Sequence, residues 1–170
     1  MSHRRSLVTS DAVRNFVFGV EDSLVSTVGL VSGIAAAGMP VSAIILTATT
    51  LILVEAFSMA AGSLLSDNSA DEYEKHSTLT LKRSATGALV MFFSYVFSGL
   101  LVIAPYILLT AQRAFVVSIV LSLFALFALG VVSARLSGVH VLVKSMTMVA
   151  IGGAAIALGI AIGNIVSGFV

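Results

Sequence analysis

Cysteine is absent from the chain, which excludes disulfides, iron–sulfur clusters and thiolate metal sites and leaves the redox compartment undetermined. Charge is nearly as scarce. Only 10% of the 170 residues are Asp, Glu, Lys or Arg, against roughly a quarter in soluble domains. A chain with so little charge cannot coat itself with a water-compatible surface. The formal net charge of +1 leaves no electrostatic footprint for nucleic acid. Low-complexity tracts are missing. No internal repeat stands out, so an inverted-repeat carrier built within one chain is not expected, and any two-fold symmetry has to come from dimerisation. A His-x-x-x-His pattern and a Ser–His nucleophile pair are missing too, which argues against an intramembrane enzyme.

What is abundant is apolar. Hydrophobic residues make up 58% of the chain, and the mean hydropathy is +1.11. A transmembrane helix uses ~20 residues, so there is room for five or six spans and little else. Apolar stretches at about 16–37, 41–65, 85–109, 114–134 and 145–170 predict an all-α membrane protein of five transmembrane helices. Gly38-Met39-Pro40 breaks the first two stretches, since Pro cannot continue a helix and Gly tolerates the turn. A polar connector spans 66–83, Gln112-Arg113 marks a turn, and small residues fill 135–144. Met1 to Asn15 reads as a short amphipathic lead-in on the cytoplasmic surface, where Asp11 and Arg14 can pair. It does not read as a cleavable signal, because the apolar run behind it is too long and contains acids.

Basic residues fix an expected orientation. Arg4, Arg5, Arg14, Lys75, Lys82, Arg83, Arg135 and Lys144 fall on one side of a five-span chain, and only Arg113 falls on the other. The positive-inside rule then puts the N-terminus in the cytoplasm and the C-terminus outside or in a lumen.

Three acids sit where acids are costly. Glu21 and Asp22 lie in the first span and Glu55 in the second, with no Lys or Arg inside either stretch. A charge in the bilayer centre costs ~2.5–3.5 kcal/mol on insertion scales, so three unneutralised acids call for protons or a metal cation. At ~1.5 Å per residue, Asp22 lies ~9 Å past Phe16, Met59 ~9 Å before Leu65, and Glu55 one turn deeper at ~15 Å. Glu55 and Met59 share a helix face at i and i+4. Asp22, Met59 and Glu55 are expected to line one pocket if the first two spans pack together. Carboxylates suit Mn²⁺ and Fe²⁺, and a thioether disfavours Ca²⁺ and Mg²⁺; carboxylates also carry protons. Blander readings stand beside these: Glu21 snorkels to the interface, and Glu55 is a protonated acid bonded to a neighbouring helix. Ser26, Thr27 and Ser58 add neutral oxygens near the path. Asn164 is expected to bond across helices. Gly29 and Gly33 in the first span, and Gly159 and Gly163 in the fifth, form G-x-x-x-G pairs that permit close helix approach. If the first span pairs with its symmetry mate, the two copies of Asp22 flank a central path. The acidic run Asp67, Asp71 and Glu74 has helical spacing, as if the second span continued into the cytoplasm as a solvated helix or a cation antechamber.

Several stretches carry a family resemblance. Glu21-Asp22-Ser23-Leu24-Val25-Ser26-Thr27 resembles the D-G-[IL]-V-S-T stretch in the first span of the vacuolar iron transporter family. Ala56-Phe57-Ser58-Met59-Ala60-Ala61-Gly62 resembles its A-L-S-M-A-A-G stretch, Ala104-Pro105-Tyr106 its third-span ending, and Ala134-Arg135-Leu136-Ser137-Gly138 its K-A-R-L-T-G connector. The resemblance covers essentially the whole chain in order. It implies a five-span homodimer that exports cytosolic Fe²⁺ or Mn²⁺ in exchange for protons, out of a prokaryotic cell or into a eukaryotic vacuole, with no permanently bound cofactor. The path-lining Asp and Met of the family fall at Asp22 and Met59. Ser23 replaces a Gly, Glu21 adds an acid, Leu51 stands where some members carry an acid, and Glu55 lies one turn beyond it. The long Glu-rich cytoplasmic metal-binding insertion of many members is absent. The expected metal set is Asp22, Met59, Glu55 and Glu21, with Glu55 and Asp22 as proton carriers. The partners are a second copy through the first span, the divalent ion and the bilayer. The rivals are a carrier or channel for another divalent cation, and a metal-binding membrane scaffold or sensor that transports nothing.

Overall fold

The structure is a computed structural model that describes the backbone of residues 2–75 and 81–169 and the side chains of 12–66, 69 and 84–169. Five helices follow one another: α1 Ser2–Ala36, α2 Val41–Lys75, α3 Leu81–Leu108, α4 Ala111–Ser137 and α5 Val141–Ser167. No strand occurs among the described residues. Each helix contains a stretch long and apolar enough to cross a bilayer: Ala12–Ala36, Val41–Ser66, Ser84–Leu108, Ala111–Ser137 and Val141–Ser167. The outer surface is apolar. Leu46, Phe57, Phe97, Phe124 and Leu142 are all about two-thirds exposed or more. Such a belt would aggregate in water and is at home in lipid.

The helices run further than apolarity alone suggests. Gln112 and Arg113 belong to the first turn of α4, and Arg135 to its last turn, where a cation suits the negative end of the helix dipole. Residues 141–144 open α5. The N-terminal lead-in is not a separate surface segment: its backbone from Ser2 is continuous with α1. The connector after the second span begins as helix, since α2 continues to Lys75. His76 and the side chains of Asp11, Asp67, Asp71, Glu74, Lys82 and Arg83 lie outside the described residues.

The α1–α2 turn has a clear local cause. Gly38 adopts φ 74, the left-handed region that favours glycine. The Gly38 N–H then reaches the Ala35 carbonyl and the Met39 N–H the Ile34 carbonyl, the two bonds of a Schellman ending. Pro40 follows, and its carbonyl accepts from Ala43 and Ile44 to start α2. In α3, Pro105 removes one backbone donor. Ser118 of α4 donates to the nearby Val102 carbonyl at 2.8 Å, which ties the two helices together beside that weakened turn.

Two apolar clusters hold the bundle. One joins Val31, Ile44, Ala48, Ile52, Ala56, Tyr95, Ile103 and Tyr106 from α1, α2 and α3. The other joins Leu24, Val28, Val102, Leu126, Leu129, Met148 and Ile156 from α1, α3, α4 and α5. Helix α1 contributes to both and is the central helix. Its G-x-x-x-G pair is used within the chain. A Cβ on Gly159 would overlap the Gly29 carbonyl oxygen, and one on Gly163 the Gly33 carbonyl oxygen. Close backbone approach of this kind maximises van der Waals contact where lipid offers no hydrophobic drive. Gly29 and Gly33 therefore meet α5, which leaves any pairing of α1 with a second copy to the outward face beside that seam.

Candidate functional site

Side chains that share a face of α1 recur at Asn15, Asp22 and Ser26, and side chains that share a face of α2 recur at Glu55, Met59 and Ser63. The structure brings these two faces to one site, with a third helix between them over much of its depth. Near the N-terminal end, Asn15 donates from Nδ2 to Ser63 Oγ at 3.0 Å, and Asn15 is only 3% exposed. Deeper in the bundle, Tyr95 of α3 is fully buried. Its hydroxyl donates to Glu55 Oε2 and shares a 2.8 Å hydrogen bond with Ser26 Oγ. Ser23 Oγ donates to the Tyr95 backbone carbonyl at 2.6 Å. One phenol thus links α1, α2 and α3, and it is held from both its backbone and its hydroxyl.

Asp22 and Glu21 are half-buried on α1. Asp22 is close enough to Glu55 and to Glu21 for their charges to repel. Between Asn15 and Ser66 the sequence offers no Lys or Arg. The Tyr95 hydroxyl supplies a hydrogen bond to Glu55, and these two spans supply no basic residue at the depth of the pair.

The vertical register differs from the expectation. The first span begins at Ala12, so Asp22 is ten residues in, or ~15 Å. The second span ends at Ser66, so Glu55 is eleven residues from that end, or ~16 Å, and Met59 seven, or ~10 Å. Asp22 is level with Glu55, and Met59 lies a turn nearer the N-terminal end. The shift arises because the polar residues at the start of α1 are already helical and within the span. Met59 is half-buried against the cluster that contains Ala56 and Tyr95, on the same α2 face as Glu55.

The expected residues are thus partly gathered. Asp22 and Glu55 come together, Glu21 adjoins Asp22 within electrostatic reach, and Met59 borders the group. Of the expected neutral oxygens, Ser26 joins the network, Thr27 is buried without a hydroxyl partner, and Ser58 is exposed. Asn164 is exposed on α5 rather than bonded across helices. Among the described residues no three His, Asp or Glu side chains of this one chain converge as a metal site. Helix α2 packs mainly on α3, and its contact with α1 is the lighter one. The first two spans therefore line the site with α3 between them. Tyr95, Asn15 and Ser63 were not foreseen. A signal existed for Tyr95: a tyrosine in mid-span needs a partner for its hydroxyl, and Ser23 and Ser26 share the α1 face towards it.

No curated protein matches the chain. The VIT family model matches residues 13–85 and 78–164, and so runs through all five spans and over every residue of the site. Five apolar helices and a mid-span acidic pair in two spans that carry no Lys or Arg at that depth agree with that match, and the chain is an integral multi-pass membrane protein of the VIT family, a family of membrane metal ion transporters.

Proposed function

We propose that the chain is one half of a homodimeric carrier that moves Fe²⁺ or Mn²⁺ out of the cytosol in exchange for protons. The observation that carries this reading is the Asp22–Glu55 pair, two acids level at mid-span and near enough to repel, with Glu55 held by the Tyr95 hydroxyl and no Lys or Arg between Asn15 and Ser66 to offset them. An isolated carboxylate in hydrocarbon is tolerated only when protonated, paired or bound to a cation. Two such groups side by side exchange protons for a divalent ion with little net change of charge. Met59 adds a thioether donor that favours transition metals over Ca²⁺ and Mg²⁺. Glu21 is a ligand at the approach to the pair.

Among the described residues a single chain gathers too few ligands for a closed site, which supports a second copy as partner. A groove of about 620 Å³ runs along the outer side of α1 from Ser26 past Leu30 to Met39, flanked by α5. Two chains related by a two-fold axis and apposed on this face bring both copies of Asp22 towards one path. In this reading the N-terminus is cytoplasmic, which the one-sided placement of Lys and Arg supports, and cations load from that side.

The test is flux in vesicles reconstituted with the purified protein, across Fe²⁺, Mn²⁺, Zn²⁺, Ca²⁺ and Mg²⁺, with and without a pH gradient. Flux of Fe²⁺ or Mn²⁺ that accelerates with the gradient is expected. Flux indifferent to pH selects a channel, and binding without flux selects a scaffold or sensor. The second of these has one observation in its favour, because the Glu55–Tyr95 bond also suits a protonated acid that merely ties two helices together.

A further inference from the structure

The end of the bundle remote from the N-terminus holds a second polar feature. There the α1–α2 turn meets the last turn of α3 and the first turn of α4. Between them lies a cavity of about 260 Å³ lined by Met39, Ile44, Tyr106, Gln112 and Phe115, among others. Tyr106 is 3% exposed, and its hydroxyl has no hydrogen-bond partner. Buried polar groups are almost always bonded to protein or to ordered water. The cavity has room for several waters at ~30 Å³ each, so an orphan phenol beside it marks a place where water or a hydrated ligand sits.

The donor chemistry is specific. Tyr106 offers a phenol oxygen, Gln112 an amide and Met39 a thioether, all neutral. The chain's acids are Asp11, Glu21, Asp22, Glu55, Asp67, Asp71, Glu72 and Glu74, and none belongs to this end of the helices. Met39 repeats the soft donor that Met59 gives the acidic site, whereas the phenol and the amide stand where that site has carboxylates. Met39 also lines the outer α1 groove that begins at Ser26, and Ser26 is bonded to Tyr95 of the acidic site. The groove thus has one end at a residue bonded to the acidic site's tyrosine and the other at a residue of the chamber wall. The direct route inside the protomer is filled by Val31, Ile44, Ile52 and Ile103.

We propose that this chamber is a release station that holds a divalent transition-metal cation, with part of its water shell, through Met39, Tyr106 and Gln112. The proposal rests on the acidic pair being the loading site. Conduction needs sites that bind well enough to receive an ion and weakly enough to let it go. A set of neutral donors meets the second condition, and the exposed cationic Arg113 next to Gln112 adds repulsion that speeds departure. Carboxylates gather the cation at mid-span, and neutral donors hand it to water at the far mouth.

The test uses Mn²⁺ flux in vesicles with the full-length protein in one orientation. Excess Mn²⁺ on the far side is expected to inhibit forward flux by refilling the chamber. In Tyr106→Phe and Met39→Leu, the far-side Mn²⁺ concentration for half-inhibition is expected to rise by roughly tenfold, a typical scale for lost metal-site support. The KM measured from the N-terminal side should stay unchanged, which also reports that both variants are folded. Half-inhibition that does not move in either variant overturns the release station. That result, combined with flux that depends on Asp22, leaves the loading site standing. Absence of Mn²⁺ flux in the native protein removes the loading site and the release station together.

Discussion

Helix α1 has two seams that follow opposite rules. Against α5 it offers Gly29 and Gly33, and backbone meets backbone with no side chain between. Towards α2 and α3 it also offers Asn15, Ser23 and Ser26, which hydrogen-bond to Ser63 and Tyr95, and Asp22, which meets the charge of Glu55. The first seam is close-packed and apolar, so it fixes where α1 stands. The second is polar, packed closely on α3 and lightly on α2, with negative charge that no Lys or Arg between Asn15 and Ser66 neutralises. A membrane carrier needs both properties in one helix: a rigid stretch that holds position and a polar stretch whose balance changes when an ion arrives.

The sharpest way to break this comparison is to neutralise the polar seam alone. Asp22→Ala should reduce metal flux by on the order of 100-fold or more, the upper range for losing metal-site groups, while the purified protein keeps its elution volume and helicity. Flux that survives would mean the polar seam carries no ion. Overfilling the glycine seam should give the reverse pattern. Gly159→Leu forces α5 away from the Gly29 carbonyl, and overpacking of this kind costs about 1–3 kcal/mol or more. Thermal unfolding should fall by several degrees, with flux lost only in proportion to the folded protein.

Charge and hydrogen bonding within the polar seam can then be separated. Glu55→Gln keeps an acceptor for the Tyr95 hydroxyl and removes the charge, so stability should hold while flux falls ~10–100-fold. Tyr95→Phe keeps the ring and removes the bond, so stability should fall by about 1–2 kcal/mol. If the two variants affect stability and flux alike, the seam is structural. The smallest effect is expected at Met59→Leu, which keeps volume and loses the thioether: total flux should change little, and discrimination of Mn²⁺ against Ca²⁺ should narrow in a competition assay.

Much of this was legible in the residues. Long apolar runs demand five spans, and Gly38-Met39-Pro40 demands a turn. Asp22 and Glu55 identify themselves because a carboxylate in lipid needs a reason. What stayed hidden depends on which helix faces which. Tyr95 is cheap to place in an apolar helix, so it raised no alarm, yet its partners on α1 and α2 lie far away in sequence. The destination of Gly29 and Gly33 was likewise open, because a small-residue stripe fits any helix that approaches, and α5 carries a matching one. The level pairing of Asp22 with Glu55 was missed because Arg14 and Asn15 look polar, although the first span already begins at Ala12. The far-mouth Tyr106 chamber needs four helix ends to meet, which no local pattern encodes.

Anomalous scattering from crystals of the protein loaded with Mn²⁺ tests the central claim most directly. A peak in the α1–α2 seam, bonded to Asp22 and Glu55 carboxylate oxygens and bordered by Met59, is the expected result. Mn²⁺ bound only elsewhere, with the Glu55–Tyr95 bond intact and Asp22 unligated, would contradict it.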